Sequence, residues 1–495
     1  KDSSKIDIDN YEFQSEYEDI KEPRTENEEE NTDETTPIVL IEDGNNIKAI
    51  KKKKRNKTSI NTDPETKVVQ WNYTHANKYK SLFKLDHITF QMDNTPLYNG
   101  MDMYLGNYYH FQPLGFALKT GFIDIFENFH FDLGIRLPFD FNGLEYFVNV
   151  ENKKGLIDQK YSFYRRGRVY NYIVEDTISN FSIEVKGRTI KHLLQSELKY
   201  PITKFQSIRS IFSLQLDKVA ILAEEPISLQ IPTYYENRLG FRLEYVFDNS
   251  YNLNLNAKKG TKFKGYLDLY KPFSVTTQDK FRVGLEGGLT AALGFDARQY
   301  LTFDNKTIFA FRLAAATSFG QQKILYSLGG VENWILPVTS TKISLPNSND
   351  YGLQTLATNM RGFNGNARNG SSYAAANVEI RIPIMEYISR NSPRNAMLRT
   401  LQLVAFLDIG TAWHGVSPFS SGNPLNTTVI DNNAPNVVSP VKVTVNYYRQ
   451  PILFGYGFGI RTVLLGHYFR LDYAWGVETG QVQKPVLYLA IGTDF

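Results

Sequence analysis

The amino-acid sequence predicts an all-β protein, a transmembrane antiparallel β-barrel of about 16 strands with a disordered N-terminal segment. Three observations support this fold class. Aromatic residues make up 14% of the 495 residues, with 31 Tyr and 33 Phe. No stretch approaches the roughly 18 to 20 consecutive apolar residues that a membrane-spanning helix needs. From about residue 80 onwards, apolar and polar side chains alternate with a period of two, which is typical of strands.

The N-terminal segment, residues 1–78, is predicted to be a disordered, charged linker. It has few apolar side chains, so it cannot bury enough surface to offset the entropy lost on ordering. In residues 1–36 the acidic residues outnumber the basic ones by roughly ten, whereas Lys51–Arg55 is a basic block. This block is either a solvated charge of the linker or a contact with anionic lipid headgroups or a partner surface.

The alternation is clear early in the barrel region, residues 79–495. In the stretch NFHFDLGIRLPFD the odd-numbered positions from Phe129 to Phe139 are apolar. The even-numbered positions from His130 to Arg136 hold His, Asp, Gly and Arg. The pair Asn142-Gly143 then marks a tight hairpin turn before the next strand. This pattern predicts strands and excludes a helix, because a helix repeats every 3.6 residues.

Three more strands are predicted in the stretches ILFGYGFGIRTVL, YFRLDYAWGV and LYLAIGTDF. In each, large apolar side chains form one face, while glycines and charged residues such as Arg461, Arg470 and Asp472 form the other. A soluble sandwich or propeller is the competing interpretation of the composition. A charged face of both signs opposite an aromatic face favours a barrel with lipid outside and water inside. A closed barrel also leaves no strand edge unpaired in lipid.

The order of three short motifs resembles a known family. Met360–Phe363 reads MRGF, Ala376–Ile384 reads ANVEIRIPI and Leu403–Gly410 reads LVAFLDIG. They resemble the barrel of the BamA/TamA superfamily of outer-membrane assembly and translocation proteins, often called the surface-antigen domain. The stretches YSLGGVENW and GTAWHG further resemble a Bacteroidota group in which such a barrel follows a TolB-like propeller. That narrower likeness implies that the chain is the C-terminal part of a longer protein.

The resemblance implies a contact inside the barrel, which we name the lumen lock. In the superfamily the arginine of the Arg-Gly-Phe loop folds into the lumen, so Arg361 would contact Asp408, with Glu379 nearby. The alternation also turns Glu379 and Arg381 toward the lumen and Val378, Ile380, Ile382 and Ile384 toward lipid. The expected residues of the lumen lock are Arg361, Gly362, Phe363, Glu379, Arg381, Asp408 and Gly410. The alternative is a set of ordinary hydrated lumen charges, each pair worth about 0 to 1 kcal/mol.

Motifs of catalytic and metal sites are absent from the sequence. There is no Cys, and the seven His residues show no metal-ligand spacing. No Gly-x-Ser-x-Gly motif of a serine esterase occurs. The stretch GYGFG lacks the glycine spacing of a phosphate-binding loop. We therefore expect no enzymatic activity, no metal, no cofactor and no nucleic-acid partner.

The resemblance implies a function in the assembly, insertion or translocation of envelope proteins. In the superfamily a client strand pairs at a weak junction between the first and last strands. Here the junction would join a strand near residues 81–92 to a regular last strand at about residues 485–495. The expected residues of this barrel-closing strand are Leu487, Leu489, Ile491 and Phe495.

Two other functions stay open. Residues 1–75 are too short and too polar for a POTRA domain, the client-binding module of the superfamily, which favours a structural or scaffold subunit that anchors a periplasmic module. The third function is a passive pore, although a loop folded into the lumen would obstruct it. The expected location is the bacterial outer membrane, with the N-terminal segment in the periplasm. The expected partners are outer-membrane lipids, client outer-membrane proteins and a periplasmic propeller or other subunits of an envelope complex.

Overall fold

The structure is a computed structural model that divides the chain into two units, Lys1–Lys78 and Tyr79–Phe495. It describes residues 40–43, 46–49, 82–94, 97–98, 100–175, 182–222, 232–276, 282–304, 306–346, 348–389, 394–420, 427–430, 443–446 and 449–495.

The described residues of the first unit form a β-hairpin. Strands β1 (Leu40–Asp43) and β2 (Asn46–Ala49) pair in antiparallel fashion. These two strands differ from the disorder predicted for the whole N-terminal segment, because the apolar stretch IVLI supplies residues that favour strands. The basic block Lys51–Arg55 lies outside the described residues.

Most of the described residues of the second unit lie in strands. In its first half these are β3 (Phe83–Asp93), β4 (Asp102–Met103), β5 (Gly115–Asp124), β6 (Phe129–Pro138), β7 (Gly143–Asn152), β8 (Asp158–Glu175), β9 (Ser182–Thr203), β10 (Gln206–Ile221), β11 (Tyr234–Asp248), β12 (Tyr251–Asn254), β13 (Ala257–Thr276) and β14 (Arg282–Leu285). In its second half they are β15 (Thr290–Phe303), β16 (Thr307–Phe319), β17 (Lys323–Leu328), β18 (Tyr351–Leu356), β19 (Arg368–Gly370), β20 (Ser372–Pro383), β21 (Gln402–Trp413), β22 (Thr427–Ile430), β23 (Val443–Asn446), β24 (Leu453–Leu464), β25 (His467–Glu478), β26 (Gln481–Val482) and β27 (Val486–Ile491). Two short helices, α1 (Ile384–Ile388) and α2 (Ala396–Arg399), lie between β20 and β21.

Sixteen of these strands form the wall of a barrel. Their antiparallel order is β3, β5, β6, β7, β8, β9, β10, β11, β13, β15, β16, β20, β21, β24, β25 and β27. This number and order confirm the predicted fold class. The order forms a ring in which β27 comes next to β3, but within the described residues no register of paired residues joins these two strands. Among the described residues, the wall therefore lacks a paired register at this junction.

The wall is much taller on the side opposite this junction. Strands β8, β9 and β13 have 18, 22 and 20 residues, whereas β3 has 11 and β27 only 6. A strand that crosses a bilayer needs about 9 to 11 residues. The last strand is thus shorter than a full membrane crossing.

Apolar side chains cover the outside of the wall and polar ones its inside. On β6, Leu133 and Ile135 are 37% and 54% exposed. The next side chain, that of Arg136, points to the other face and is fully buried. Arg136 donates to Glu145 of the neighbouring β7 at 2.9 Å. This arrangement is the reverse of a soluble sheet and fits a lipid-facing exterior. Within the described residues no helix is long and apolar enough to cross a membrane.

A loop of residues 320–371 between β16 and β20 packs against the inside of the wall. Its strands β17, β18 and β19 form a four-stranded sheet with β4. Ile324, Leu328 and Met360 of this loop are fully buried in one cluster with the wall residues Ala314 and Ala412. The loop therefore fills part of the lumen.

Two predicted strand ends differ from the structure. Ile384, predicted to face lipid from a strand, begins helix α1 instead, because Pro383 has no N–H with which to continue the pairing of β20. The last strand ends at Ile491 and does not reach Phe495. Gly492 has a φ of +107°, which turns the chain out of the sheet and buries Phe495 inside.

Candidate functional site

The loop that carries Arg361 lies directly on the inner face of β24 and β25. Gly362 has a φ of +90°, a conformation that glycine adopts without strain. A Cβ atom at Gly455 would overlap the carbonyl oxygen of Arg361, and one at Gly476 would overlap that of Gly362. The glycines of these two strands therefore make room for the loop backbone.

The guanidinium group of Arg361 is enclosed by two carboxylates. Its Nε and Nη2 atoms each donate to one oxygen of Asp408 at 2.7 Å, and Nη1 donates to Oε1 of Glu379 at 2.6 Å. The backbone N–H of Arg361 also donates to Asp408, at 3.0 Å. All three side chains are at most 3% exposed. Such a fork-to-carboxylate contact needs arginine, because lysine carries a single point charge.

Two further side chains complete this contact. The guanidinium carbon of Arg361 lies 3.7 Å from the ring centroid of Phe406, a cation–π distance. The side-chain amide of Asn377 donates to Oδ1 of Asp408 at 2.8 Å. Asn377 pairs with Asp408 and Glu379 with Phe406 across β20 and β21, so that strand register alone places all four side chains together on the lumen face.

Arg381 links the Arg361 contact to the end of the chain. Its Nη2 atom lies 2.8 Å from Oε2 of Glu379 and donates to the carbonyl oxygen of Phe495 at 3.3 Å. Its guanidinium carbon lies 5.2 Å from the Phe495 ring centroid. One carboxylate, that of Glu379, is therefore shared between a loop arginine and a wall arginine.

A second group of buried charges holds Asp494. Arg461 donates to Asp494 at 2.8 Å and to Asp472 at 2.7 Å. Arg470 lies 3.4 Å from Asp494, which also accepts from the side-chain amide of Asn256 at 2.9 Å. Because Gly492 turns the chain inward, the last residues reach these partners on the lumen face.

The two groups together balance four guanidinium groups against four carboxylates. They are Arg361, Arg381, Arg461, Arg470, Glu379, Asp408, Asp472 and Asp494. Removal of one partner from such a buried set leaves an uncompensated charge, which is strongly destabilising. The arrangement is suited to holding the loop and the chain end against the wall.

The remaining predicted site residues fall into two places. Phe363 belongs to the cluster between loop and wall, and a Cβ at Gly410 would lie 3.3 Å from Leu328 and Met360 of the loop. Leu487 is exposed on the outside of β27, and Leu489 is half-buried. Ile491 and Phe495, predicted to belong to the outward face of the closing strand, are both buried. Ile491 is still the last residue of β27, whereas Phe495 is turned inside because the chain leaves the sheet at Gly492.

At the end of β21, outside the membrane-spanning strands, His414 holds two loops together. Its Nδ1 atom lies 2.5 Å from the hydroxyl of Tyr351, and its Nε2 atom lies 3.0 Å from Oδ1 of Asn369. Burial, with a smaller effect of Lys323, lowers the pKa of His414 to about 4. The neutral imidazole fits both contacts, since it accepts from Tyr351 at one nitrogen and donates to Asn369 at the other.

Sequence reasoning missed Asn377, Phe406 and Asp494 as site residues. Asn377 and Phe406 occupy lumen-facing positions of predicted strands, so the alternation could have placed both side chains in the lumen. A polar amide and an aromatic ring on a charged face were the features to notice. Asp494 has partners on β24 and in the turn before β13, which no local pattern connects. In the described part of the chain, no group of three or more His, Asp and Glu side chains is placed to hold a metal ion.

Comparison with known proteins identifies a matching family. Residues 191–495 match the family model of the Omp85 superfamily domain. Among solved structures, CdiB from Acinetobacter baumannii is similar with 12% identity and a TM-score of 0.43, covering 83% of this chain and 59% of that chain. BamA from Haemophilus ducreyi lacking POTRA domains 1–3 has 11% identity and a TM-score of 0.45, covering 84% and 71%. CdiB from Escherichia coli has 12% identity and a TM-score of 0.43, covering 82% and 67%. No curated protein sequence matches the chain significantly.

Proposed function

Because the chain belongs to the Omp85 superfamily of outer-membrane β-barrels, we propose that it inserts envelope proteins into the outer membrane or exports them across it. The resemblance to this superfamily is confirmed, whereas the Bacteroidota origin and the upstream propeller stay predictions. Members of the superfamily are transporters and assembly factors rather than enzymes, and the proposal contains no catalytic step. The placement of the N-terminal segment in the periplasm is part of the proposal.

The observation that carries the proposal is the junction between β3 and β27, where the described residues show no paired register. A strand edge with free backbone groups is a template for another extended segment. The edge of β27 belongs to a strand of only six residues, where the wall is lowest. A client segment would add to the sheet there by main-chain hydrogen bonds and leave into the bilayer once it is folded.

The lumen lock is proposed to keep the long loop inside the barrel while a client segment pairs at the junction. Two charge-assisted contacts of Arg361, to Asp408 and Glu379, attach the loop to β20 and β21. These strands lie three and four positions along the sheet from β27. The lumen lock therefore holds the long loop in the lumen, and its own side chains do not occupy the junction.

A structural scaffold is the second candidate function. It is favoured by one observation: the N–H of Ile335, in the long loop, donates to the carbonyl oxygen of Leu489 in β27 at 2.9 Å. A scaffold needs no accessible strand edge, whereas an insertase does. A passive pore is the weaker alternative, because β17, β18 and β19 lie in the lumen.

A folding assay in liposomes tests the proposal. The purified protein is reconstituted, an urea-unfolded eight-stranded outer-membrane protein is added, and its folding is followed by heat-modifiability on gels. We expect folding several times faster than in empty liposomes and in liposomes that hold an unrelated barrel of similar size. Equal rates in all three would reject the insertase function and leave the scaffold. Solute flux through planar bilayers tests the pore.

A further inference from the structure

The last strand has one paired edge and one edge that faces the junction. In its register with β25, Ala490 is paired with Arg470. Just beyond the strand, the N–H of Gly492 donates to the carbonyl oxygen of Tyr468 at 2.8 Å, so the residues hydrogen-bonded to β25 are the even-numbered ones. In an antiparallel ladder, bonded residues alternate along the strand. The backbone groups of Leu489 and Ile491 therefore point to the opposite edge, toward β3.

Residues of the long loop occupy this second edge. Trp334 forms an antiparallel bridge with Ala490, and Ile335 N–H donates to the carbonyl oxygen of Leu489. Asn333, immediately before, has a φ of +60°, which asparagine tolerates better than most residues. This turn brings the next two residues alongside β27 in an extended course.

The segment is anchored by the ring of Trp334. Trp334 is 2% exposed, and its ring centroid lies 4.8 Å from that of Tyr488 and 5.8 Å from that of Phe111. The side-chain amide of Asn94, just after β3, donates to the carbonyl oxygen of Trp334 at 3.0 Å. The segment thus contacts both sides of the junction, β27 through its backbone and the end of β3 through Asn94.

The same segment is connected to the lumen lock. Gly330 N–H donates to the carbonyl oxygen of Phe363 at 3.0 Å, and Met360 N–H donates to that of Gly330 at 2.9 Å. The hydroxyl of Tyr488, in β27, donates to the same Phe363 oxygen at 2.7 Å. Arg361 lies between Met360 and Phe363, so the lock holds the base of the segment beside β27.

We propose that residues Asn333–Ile335 form an internal pseudo-strand that covers the free edge of β27 and must leave it before any other extended segment pairs there. The covered edge explains why the described residues of β27 show no register with β3 although the edge is not left open. It makes the junction self-inhibited, with the long loop as the inhibitor. The consequence for client proteins rests on the proposed function, but the intramolecular contact does not.

A disulfide tests the contact directly. The chain has no Cys, so Ile335→Cys with Leu489→Cys creates a single possible bond between two facing residues and leaves Trp334 in place. We expect oxidation of this pair in the folded protein in membranes. The pair Leu336→Cys with Leu489→Cys is the control, because a shift by one residue turns the side chain to the other face. Oxidation no greater than in the control would overturn the proposal.

A peptide tests whether the edge becomes available. The probe is a fluorescein-labelled peptide with the sequence of residues 330–338, GVENWILPV, added to the purified protein in detergent micelles. Trp334→Ala combined with Ile335→Pro removes the anchor and the donating N–H. We expect this variant to bind the peptide at least about 10-fold more tightly than the wild type or Leu336→Ala, a difference of about 1.4 kcal/mol. If the variant stays heat-modifiable and binds the peptide no more tightly than the wild type, the proposal is overturned. If the variant does not fold, the disulfide experiment alone decides.

The liposome assay separates the two proposals. If the protein accelerates client folding, the oxidised Ile335→Cys/Leu489→Cys variant should be slower than its reduced form. If neither form accelerates folding, the proposed insertase function is rejected. Disulfide formation and peptide binding still test whether the pseudo-strand covers β27. Equal acceleration by both forms would refute the inhibition.

Discussion

The carboxylate of Asp408 binds both the side chain and the backbone of Arg361, a residue 47 positions earlier in the chain. One wall residue therefore fixes the conformation and the position of the loop at the same time. Glu379 holds the third side of the guanidinium group at 2.6 Å. A buried arginine with both carboxylate partners in place thus attaches the long loop to β20 and β21, in addition to the contacts of the loop with β27.

Replacement of Arg361 should destabilise the barrel strongly. Arg361→Ala leaves the buried carboxylate of Asp408 without a cation and takes from Glu379 one of its two arginine partners. We therefore expect a loss of about 3–5 kcal/mol in the free energy of unfolding. Arg361→Lys keeps the charge but loses the fork, and we expect a smaller loss of about 2 kcal/mol. Equilibrium unfolding by guanidinium chloride in detergent micelles measures both.

Lys199→Ala is the matched control for this prediction. Lys199 lies 3.1 Å from Asp158, but their side chains are 38% and 30% exposed. A pair of this kind contributes less than about 1 kcal/mol. Similar losses for Arg361→Ala and Lys199→Ala would show that burial of the lock has no energetic consequence.

A methyl group at Gly455 should push the loop off the wall. Its Cβ would overlap the carbonyl oxygen of Arg361, so we expect Gly455→Ala to cost about 1–3 kcal/mol. Gly167 also lies in a strand, but no atom lies within 4 Å of a Cβ built there. Gly167→Ala should change the free energy of unfolding by less than about 0.5 kcal/mol. A cost for Gly167→Ala as large as that for Gly455→Ala would contradict the close approach.

Removal of Asp494 should release the last residues from the lumen. Asp494→Ala leaves Arg461 and Arg470 short of a carboxylate, so we expect a loss of about 3 kcal/mol and faster amide hydrogen exchange at residues 492–495. Thr493→Ala is the control, since the Thr493 side chain is exposed. Exchange that is unchanged in Asp494→Ala would show that the chain end is held by other contacts.

Acid should loosen the loops around His414. The folded protein keeps this imidazole neutral down to a pKa of about 4, while the ordinary value is 6.5. Between these values the unfolded state binds more protons, so the contribution of His414 to stability is complete above about pH 6.5 and falls as the pH drops toward 4. Proteolysis of the loops should accelerate over this range in the wild type and less steeply in His414→Gln. Parallel pH profiles for both would exclude His414 as the cause.

Much of this fold could be predicted because a barrel strand shows its two faces in the local sequence. Alternation alone predicts that Glu379 and Arg381 face the lumen. The contact of Arg361 with Asp408 followed from the family resemblance, because the path of a long loop leaves no periodic signal.

The course of the chain end could not be predicted in the same way. The alternation of apolar and other residues continues through the sequence LYLAIGTDF. The backbone of Gly492, however, has a positive φ, so the side chain of Phe495 points to the inside instead of the outside. The contact between Trp334 and Ala490 joins residues far apart in the sequence. Neither pattern nor propensity connects such positions, since the contact depends on the path of the long loop through the lumen.

The coupling free energy between Arg361 and Asp408 tests the lumen lock most directly. The free energy of unfolding is measured for the wild type, Arg361→Ala, Asp408→Ala and the double variant. The direct bidentate contact predicts that the double variant loses at least about 1.5 kcal/mol less than the sum of the two single losses. Additive losses, within about 0.5 kcal/mol, would contradict the lock.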